Sequence, residues 1–365
     1  MPIYLKSIGF SVMLMGLLEG VAEATAGISK GYFGKRSDIS GKRLPFVQIG
    51  YALSAVSKPM MAIFTYPVWI LFSRTLDRLG KGVRTGARDA ILSDEATPGT
   101  KGKVFGFHRS MDTLGAVIGP LAGLVYLHYH AAEYANLFFI AFLPGLFAII
   151  ASFFLKTKDK PPLIPRKKNS FLSFLHYWKE SPAAYKKLVA GLLIFALFNS
   201  SDIFLLLRAK ESGFDDAMVI KFYIFYNLVY ALFAFPGGML ADKLGLKNVF
   251  IAGLVLFAAV YSGMAFATSR LFVFGLFFLY GLFAATTEGI SKAWISTIAE
   301  QKDTATAIGT FSGLQSVCAL LASSITGIVW FKFGAVPAFV STATATLLIA
   351  AYFWTTVPNP TTNRV

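Results

Sequence analysis

Gly34-Lys-Arg-Ser-Asp-Ile-Ser-Gly-Lys-Arg43 lies between two long apolar stretches, and Gly238-Met-Leu-Ala-Asp-Lys-Leu-Gly-Leu-Lys247 stands in the same setting further along the chain. One offset of 204 relates Gly34 to Gly238, Asp38 to Asp242, Gly41 to Gly245 and Arg43 to Lys247. The same offset lays Glu23 on Asn227 and Arg88 on Lys292, and an offset of 203 lays Gly106 on Gly309. The chain is therefore read as two related halves. Internal repeats of this kind are typical of transporters, whose sites form between the halves near the bilayer midplane.

Working outward from the two stretches, apolar segments of about 18 to 25 residues recur from end to end, each long enough to cross a hydrocarbon core as a helix. The 365 residues are 55% hydrophobic and only 15% charged, which excludes an ordinary soluble globule. Spans are expected near 7–33, 44–65, 67–92, 104–127, 134–155, 187–208, 217–240, 248–268, 271–298, 305–330 and 335–356. The 36 Phe and 32 Gly fit such a bundle, with bulky apolar groups facing lipid and small residues letting helices approach.

The net charge of +15 would suit nucleic acid only if it gathered on a water-exposed domain. Instead its largest cluster runs from Lys156 to Lys187, between the halves. By the positive-inside rule this is a cytoplasmic loop, which sets the links near 34–43, 93–103, 241–247 and 299–303 on the same side and the N-terminus outside. Domains follow as an N-terminal bundle over 1–156, a cytoplasmic loop over 157–186, a C-terminal bundle over 187–357 and a tail over 358–365. The lone Cys318 excludes an intrachain disulfide.

The stretch at Gly34 resembles the signature loop between helices two and three of the major facilitator superfamily, and the stretch at Gly238 resembles its second-half copy. Gly115-Ala-Val-Ile-Gly-Pro-Leu-Ala-Gly123 resembles the family's fifth-helix motif, often associated with antiporters. Arg74 stands where the family's fourth-helix basic motif is expected. The resemblance implies an all-α, two-bundle fold of about 11 transmembrane helices, twelve less the first. Met1 to Ser11 reads like the tail of an earlier segment, so the chain is expected to begin after a lost first helix. The resemblance also implies a monomer in a bacterial-type inner membrane, with a small-molecule substrate and protons as partners.

The motifs have physical sense of their own. Asp38 and Asp242 at helix ends can pair with basic neighbours such as Arg43 and cap the next helix, latching one conformation. Gly41 and Gly245 allow a tight turn between spans. Pro120 among Gly115, Gly119 and Gly123 combines close packing with a bend. A solvated turn and pure packing are the bland alternatives.

Ionisable groups inside a span cost of order 3 kcal/mol by insertion scales, so each is a functional candidate. Arg74, Asp77, Arg78, Lys81, Arg84 and Arg88 follow three- and four-residue steps and share one helical face, which must look inward. Arg74 and Asp77 are read as substrate or ion groups or as a structural pair, with Arg84 and Arg88 as anchors at the inner surface. Glu19 and Glu23, one turn apart, can point into one cavity, where two carboxylates resist double ionisation and one could carry a proton. Pairing with Lys30 or with the Arg74 face is the alternative. Arg109 with Asp112 reads as a local pair or part of a gating network. In the second half Asn199, Ser200, Ser201 and Asp202 interrupt an apolar span, and Asp202 is the leading candidate for ion coupling. Glu288 and Lys292, four apart, come next, or form a helix-stabilising pair.

No Gly-x-x-x-x-Gly-Lys-Ser/Thr loop is present to cradle ATP, and the four histidines are scattered, so neither a cofactor, a metal nor an enzymatic activity is expected. The expected function is alternating-access transport of a small solute, proton-coupled and directed outward. Uniport or uptake of a small polar solute is the rival within transport, and a non-transporting receptor or scaffold the rival outside it.

Overall fold

The computed structural model describes residues 2–97, 99–130, 133–157, 172–267 and 269–357. Among these the regular structure is helical: α1 (Pro2–Ser7), α2 (Val12–Ser40), α3 (Leu44–Ile63), α4 (Pro67–Glu95), α5 (Lys101–Tyr129), α6 (Tyr134–Phe153), α7 (Tyr177–Glu180), α8 (Ala183–Phe198), α9 (Ile203–Glu211), α10 (Asp216–Leu244), α11 (Leu246–Phe266), α12 (Arg270–Ile298), α13 (Thr304–Phe333) and α14 (Ala335–Thr356). Taking α8 and α9 as one broken span, each of the eleven expected spans has its helix. Most of the basic central loop, residues 158–171, and the tail from 358 lie outside the described residues.

Among the described residues, eight helical segments, counting α8 with α9, are long and apolar enough to cross a membrane. The long helices α2, α3 and α4, which carry the ionisable residues Glu19, Glu23, Lys58, Arg74, Asp77 and Arg78, are not among them. Large apolar side chains nevertheless face outward in numbers no water-soluble surface tolerates, among them Phe331 at 90%, Leu271 at 83% and Phe154 at 82% exposure. The protein is a multi-pass integral membrane protein.

Two expectations about helix ends are corrected. The link near 34–43 is helical through Ser40, so Asp38 sits in the last turn of α2 and only residues 41–43 connect to α3. Gly41 ends the helix in the left-handed region, φ +69°, with its amide donating to Asp38 O. In the copy, α10 runs to Leu244 and Gly245 alone, φ +95°, joins it to α11. The span near 187–208 is not continuous, since α8 stops at Phe198 and α9 starts at Ile203.

The contacts gather the described residues into two compact units. One takes 1–91, 120–180 and 301–317; the other takes 92–119, 181–300 and 318–365. In the first, α3 packs along α6, and the short α1 closes a cluster of Tyr4, Leu5, Phe10, Leu18 and Ile70. Phe174, just before α7, fills the space left by Gly31 on α2, while Thr310 and Lys35 donate to the Phe174 and Ser173 carbonyls. In the second, α10 packs on α12, and α11 on α12 and α14. Its core is aromatic: Phe257 stacks on Tyr261 and meets Phe283, and Phe250 meets Phe353 and Trp294. The expectation that Phe mainly faces lipid is thus corrected for this unit, where rings fill the interior at little conformational cost.

Candidate functional site

Three constellations place the ionisable groups. The first is a pair of helix caps that obey the sequence repeat. Asp38 Oδ2 accepts from Thr306 N at 2.7 Å and Thr306 Oγ1 at 2.8 Å, and its Oδ1 meets Arg43 Nη2 at 3.2 Å. It therefore caps α13 from 268 residues away, not α3, the next helix, as the sequence had implied. Asp242 Oδ1 and Oδ2 accept from Gly102 N and Lys103 N, both at 2.7 Å, and cap α5 in the same way. Close backbone approach makes both caps possible. A side chain at Gly34 would strike Ala305 O, and one at Gly106 would reach within 2.5 Å of Ala234 O. Gly238 is held as tightly against Gly102.

The copies differ in their basic residue. Arg43 pairs with Asp38 and also donates to Gln301 O at 3.3 Å. Lys247, its repeat partner, does not pair with Asp242 but donates to Trp354 O at 2.9 Å and Val357 O at 2.7 Å, capping the end of α14. The fifth-helix motif departs from expectation as well: a Cβ at Gly115 or Gly119 would meet nothing within 4 Å, and one at Gly123 only Leu137. These glycines are not points of close packing here, whereas Gly102 and Gly106, on the same helix, are. The helix continues through Pro120.

The second constellation lies on the polar face of α4. Arg74 grips Glu19 with two bonds of 2.9 Å and reaches Asp77 at 3.2 Å, while Lys58 from α3 meets the other Asp77 oxygen at 2.9 Å. Arg78 pairs with Glu23 at 3.0 Å and approaches Glu19 at 3.8 Å. Three carboxylates thus face three cations. Glu19 and Glu23 share one side of α2, as expected, but each meets a guanidinium. Arg84 and Arg88 have other partners: Arg84 donates to Ser54 Oγ at 2.7 Å and covers the Tyr51 ring at 4.8 Å, and Arg88 pairs with the fully buried Asp89 at 2.9 Å.

The third lies in the second unit. Arg109 joins Tyr230 Oη at 2.5 Å, Asp112 at 2.9 Å and Glu288 at 2.7 Å, so it is both a local pair and a bridge from α5 to α10 and α12. Lys292 stands one turn beyond Glu288, partly buried. Asp202 occupies the break between α8 and α9. Its carboxylate accepts from Tyr226 Oη, with Ser201 Oγ at 3.5 Å, and among the described residues no Lys, Arg or His forms an ion pair with it. Tyr223, Tyr261 and Tyr280 lie within electrostatic reach. Sequence reasoning missed this tyrosine wall and Lys58. The signal was present: Tyr223, Tyr226 and Tyr230 follow three- and four-residue steps along one face of α10.

The family model described as Major Facilitator Superfamily matches residues 1–226 and 213–365. An uncharacterized MFS-type transporter of Methanocaldococcus jannaschii is 33% identical over 354 residues, covering 93% of this chain and 87% of its own. Among solved structures, the human organic anion transporter MFSD10 aligns with a TM-score of 0.80 at 19% identity over 96% of this chain and 88% of its own. The Escherichia coli fucose:proton symporter FucP aligns with a TM-score of 0.77 at 14% identity, over 96% and 92%. At these identities the two structures speak for the fold alone.

Proposed function

The chain belongs to the major facilitator superfamily of membrane transporters, and from that premise we propose that it moves a small solute by proton-coupled alternating access, with Asp202 as the proton carrier. The observation that carries this reading is the company Asp202 keeps. A carboxylate in a broken span, met by hydroxyls and, among the described residues, by no cation, can take up and release a proton without dismantling an ion pair. The charge-matched face of α4 offers no such group.

In this reading the bundles over 1–156 and 187–357 rock against each other, and the caps at Asp38 and Asp242 form and break with each cycle. Each cap satisfies helix amides that would otherwise lack partners, so it stabilises the state that contains it. The fifth-helix motif favours export as antiport. In this reading the links near Arg43 and Lys247 lie in the cytoplasm with the basic loop, and the chain works as a monomer in a bacterial-type inner membrane.

The test is proton movement in sealed inverted vesicles offered a panel of drugs, sugars and organic acids. Substrate-dependent proton release by the native chain, lost in Asp202→Asn at equal expression, is the expected result. Unchanged coupling in that variant would remove Asp202 from the mechanism, and transport indifferent to the proton gradient would replace coupling by uniport.

A further inference from the structure

We propose that residues 173–180 are a releasable strap, with Phe174 as its tongue, that holds α2 and α13 together and lets go when the bundles part. The proposal rests on the reading of two rocking bundles, in which α2 belongs to one and α13 to the other, and not on which ion couples transport.

The two helices meet along a seam of small residues. A side chain at Gly34 would strike Ala305 O at 2.4 Å, one at Gly309 would strike Lys30 O at 2.4 Å, and one at Gly313 would come within 2.8 Å of Gly27 O. Phe174 is laid over the middle of this seam. It is buried, and a Cβ on Gly31 of α2 would lie 2.4 Å from its ring. Its carbonyl accepts from Thr310 Oγ1 of α13 at 3.3 Å, and the neighbouring Ser173 carbonyl accepts from Lys35 Nζ of α2 at 2.9 Å. Two consecutive residues of the loop thus touch both helices, and parting the helices would draw Gly31 from Thr310 and split the seat.

The repeat shows what this segment replaces. The offset of 204 lays Gly31 on Phe235, and the offset of 203 lays Phe107 on Thr310. In the second copy those two rings, Phe235 on α10 and Phe107 on α5, meet edge to face with centroids 5.6 Å apart, so the helices close their seam with side chains of their own. In the first copy both rings are gone. A glycine and a threonine stand in their places, and one seats the ring of Phe174 while the other holds its carbonyl. One seam is therefore closed by fixed residues and the other by a loop that can leave, which gives the loop control over one seam alone.

The experiment uses the full chain in detergent, without substrate or gradient. Spin labels at Arg36→Cys on α2 and Lys302→Cys just before α13, both exposed positions, report the distance across the end of the seam in a Cys318→Ser background. The expected result is a short-distance population that falls at least about tenfold relative to the long one in Phe174→Ala, and likewise in Gly31→Ala, whose added methyl unseats the ring. The double variant should shift no further than either single one, because both remove the same contact. Unchanged distances in both single variants would overturn the proposal, as would shifts that add in the double variant. Where a single variant fails to fold, Lys35→Met decides: it removes one tie, leaves the ring seated and should shift the populations about threefold in the same direction, while no shift would count against the strap. With neither substrate nor gradient present, a failure here is distinct from a failure of proton coupling, which the vesicle assay reads.

Discussion

The α4 face and the Asp202 break are both polar regions inside apolar helices, yet they solve the problem of buried charge in opposite ways. On α4, Glu19, Glu23 and Asp77 are matched by Lys58, Arg74 and Arg78, and the Arg74–Glu19 pair is bidentate. At the break, Asp202 is met by Tyr226 and Ser201 hydroxyls. A matched cluster resists any change of protonation, because neutralising one member strands its partner. A carboxylate held by hydroxyls can change charge at less structural cost. In the proposed mechanism the first region therefore serves architecture and the second serves coupling.

The largest expected effect separates them at once. Asp202→Asn should lower proton-coupled transport by on the order of 100-fold, the scale of a lost acid-base group, with expression intact. Arg74→Ala should do the reverse, costing about 2 kcal/mol of stability by stranding Glu19 and Asp77; that lies below the usual value for a fully buried pair because Glu19 is 39% exposed. Arg74→Lys should recover part of that loss, since a lysine keeps the charge but not the two-point grip. Denaturation midpoints in detergent would check both. If Arg74→Ala instead left stability intact and abolished coupling, the assignment of the two regions would be exchanged.

Smaller changes sharpen the comparison. Tyr226→Phe removes one hydrogen bond to Asp202 and should slow coupled transport about fivefold, the equivalent of about 1 kcal/mol, with stability unchanged. Glu23→Gln should alter neither property by more than about 0.5 kcal/mol, because the Glu23 side chain is 49% exposed beside Arg78. Initial rates and Tm on the same preparations would read both.

The sequence was most legible where periodicity governs. Spans and repeat follow from apolar runs and a constant offset, and α14 begins and ends at the expected residues, Ala335 and Thr356. Helix ends were less legible. Lys35, Arg36 and Asp38 look like loop residues by polarity, but α2 continues through them until Gly41 adopts a positive φ. Residues 199–202 read as a polar interruption of an apolar span, yet polarity alone does not say that the backbone unwinds.

Partners distant in sequence were hidden altogether. Nothing local connects Asp38 to Thr306 or Asp242 to Gly102, although the overlay of Gly106 on Gly309 already marked the two helices being capped. The tyrosines around Asp202 escaped notice because a tyrosine in a membrane helix packs as an aromatic ring, and only the structure shows which hydroxyls turn toward a carboxylate.

The most direct test of the division between the two regions is the proton-to-substrate ratio in sealed inverted vesicles for the native chain, Asp202→Asn and Asp77→Asn. The expected outcome is a ratio near zero for Asp202→Asn and a native ratio, from fewer surviving molecules, for Asp77→Asn. A native ratio in Asp202→Asn with coupling lost in Asp77→Asn would contradict it.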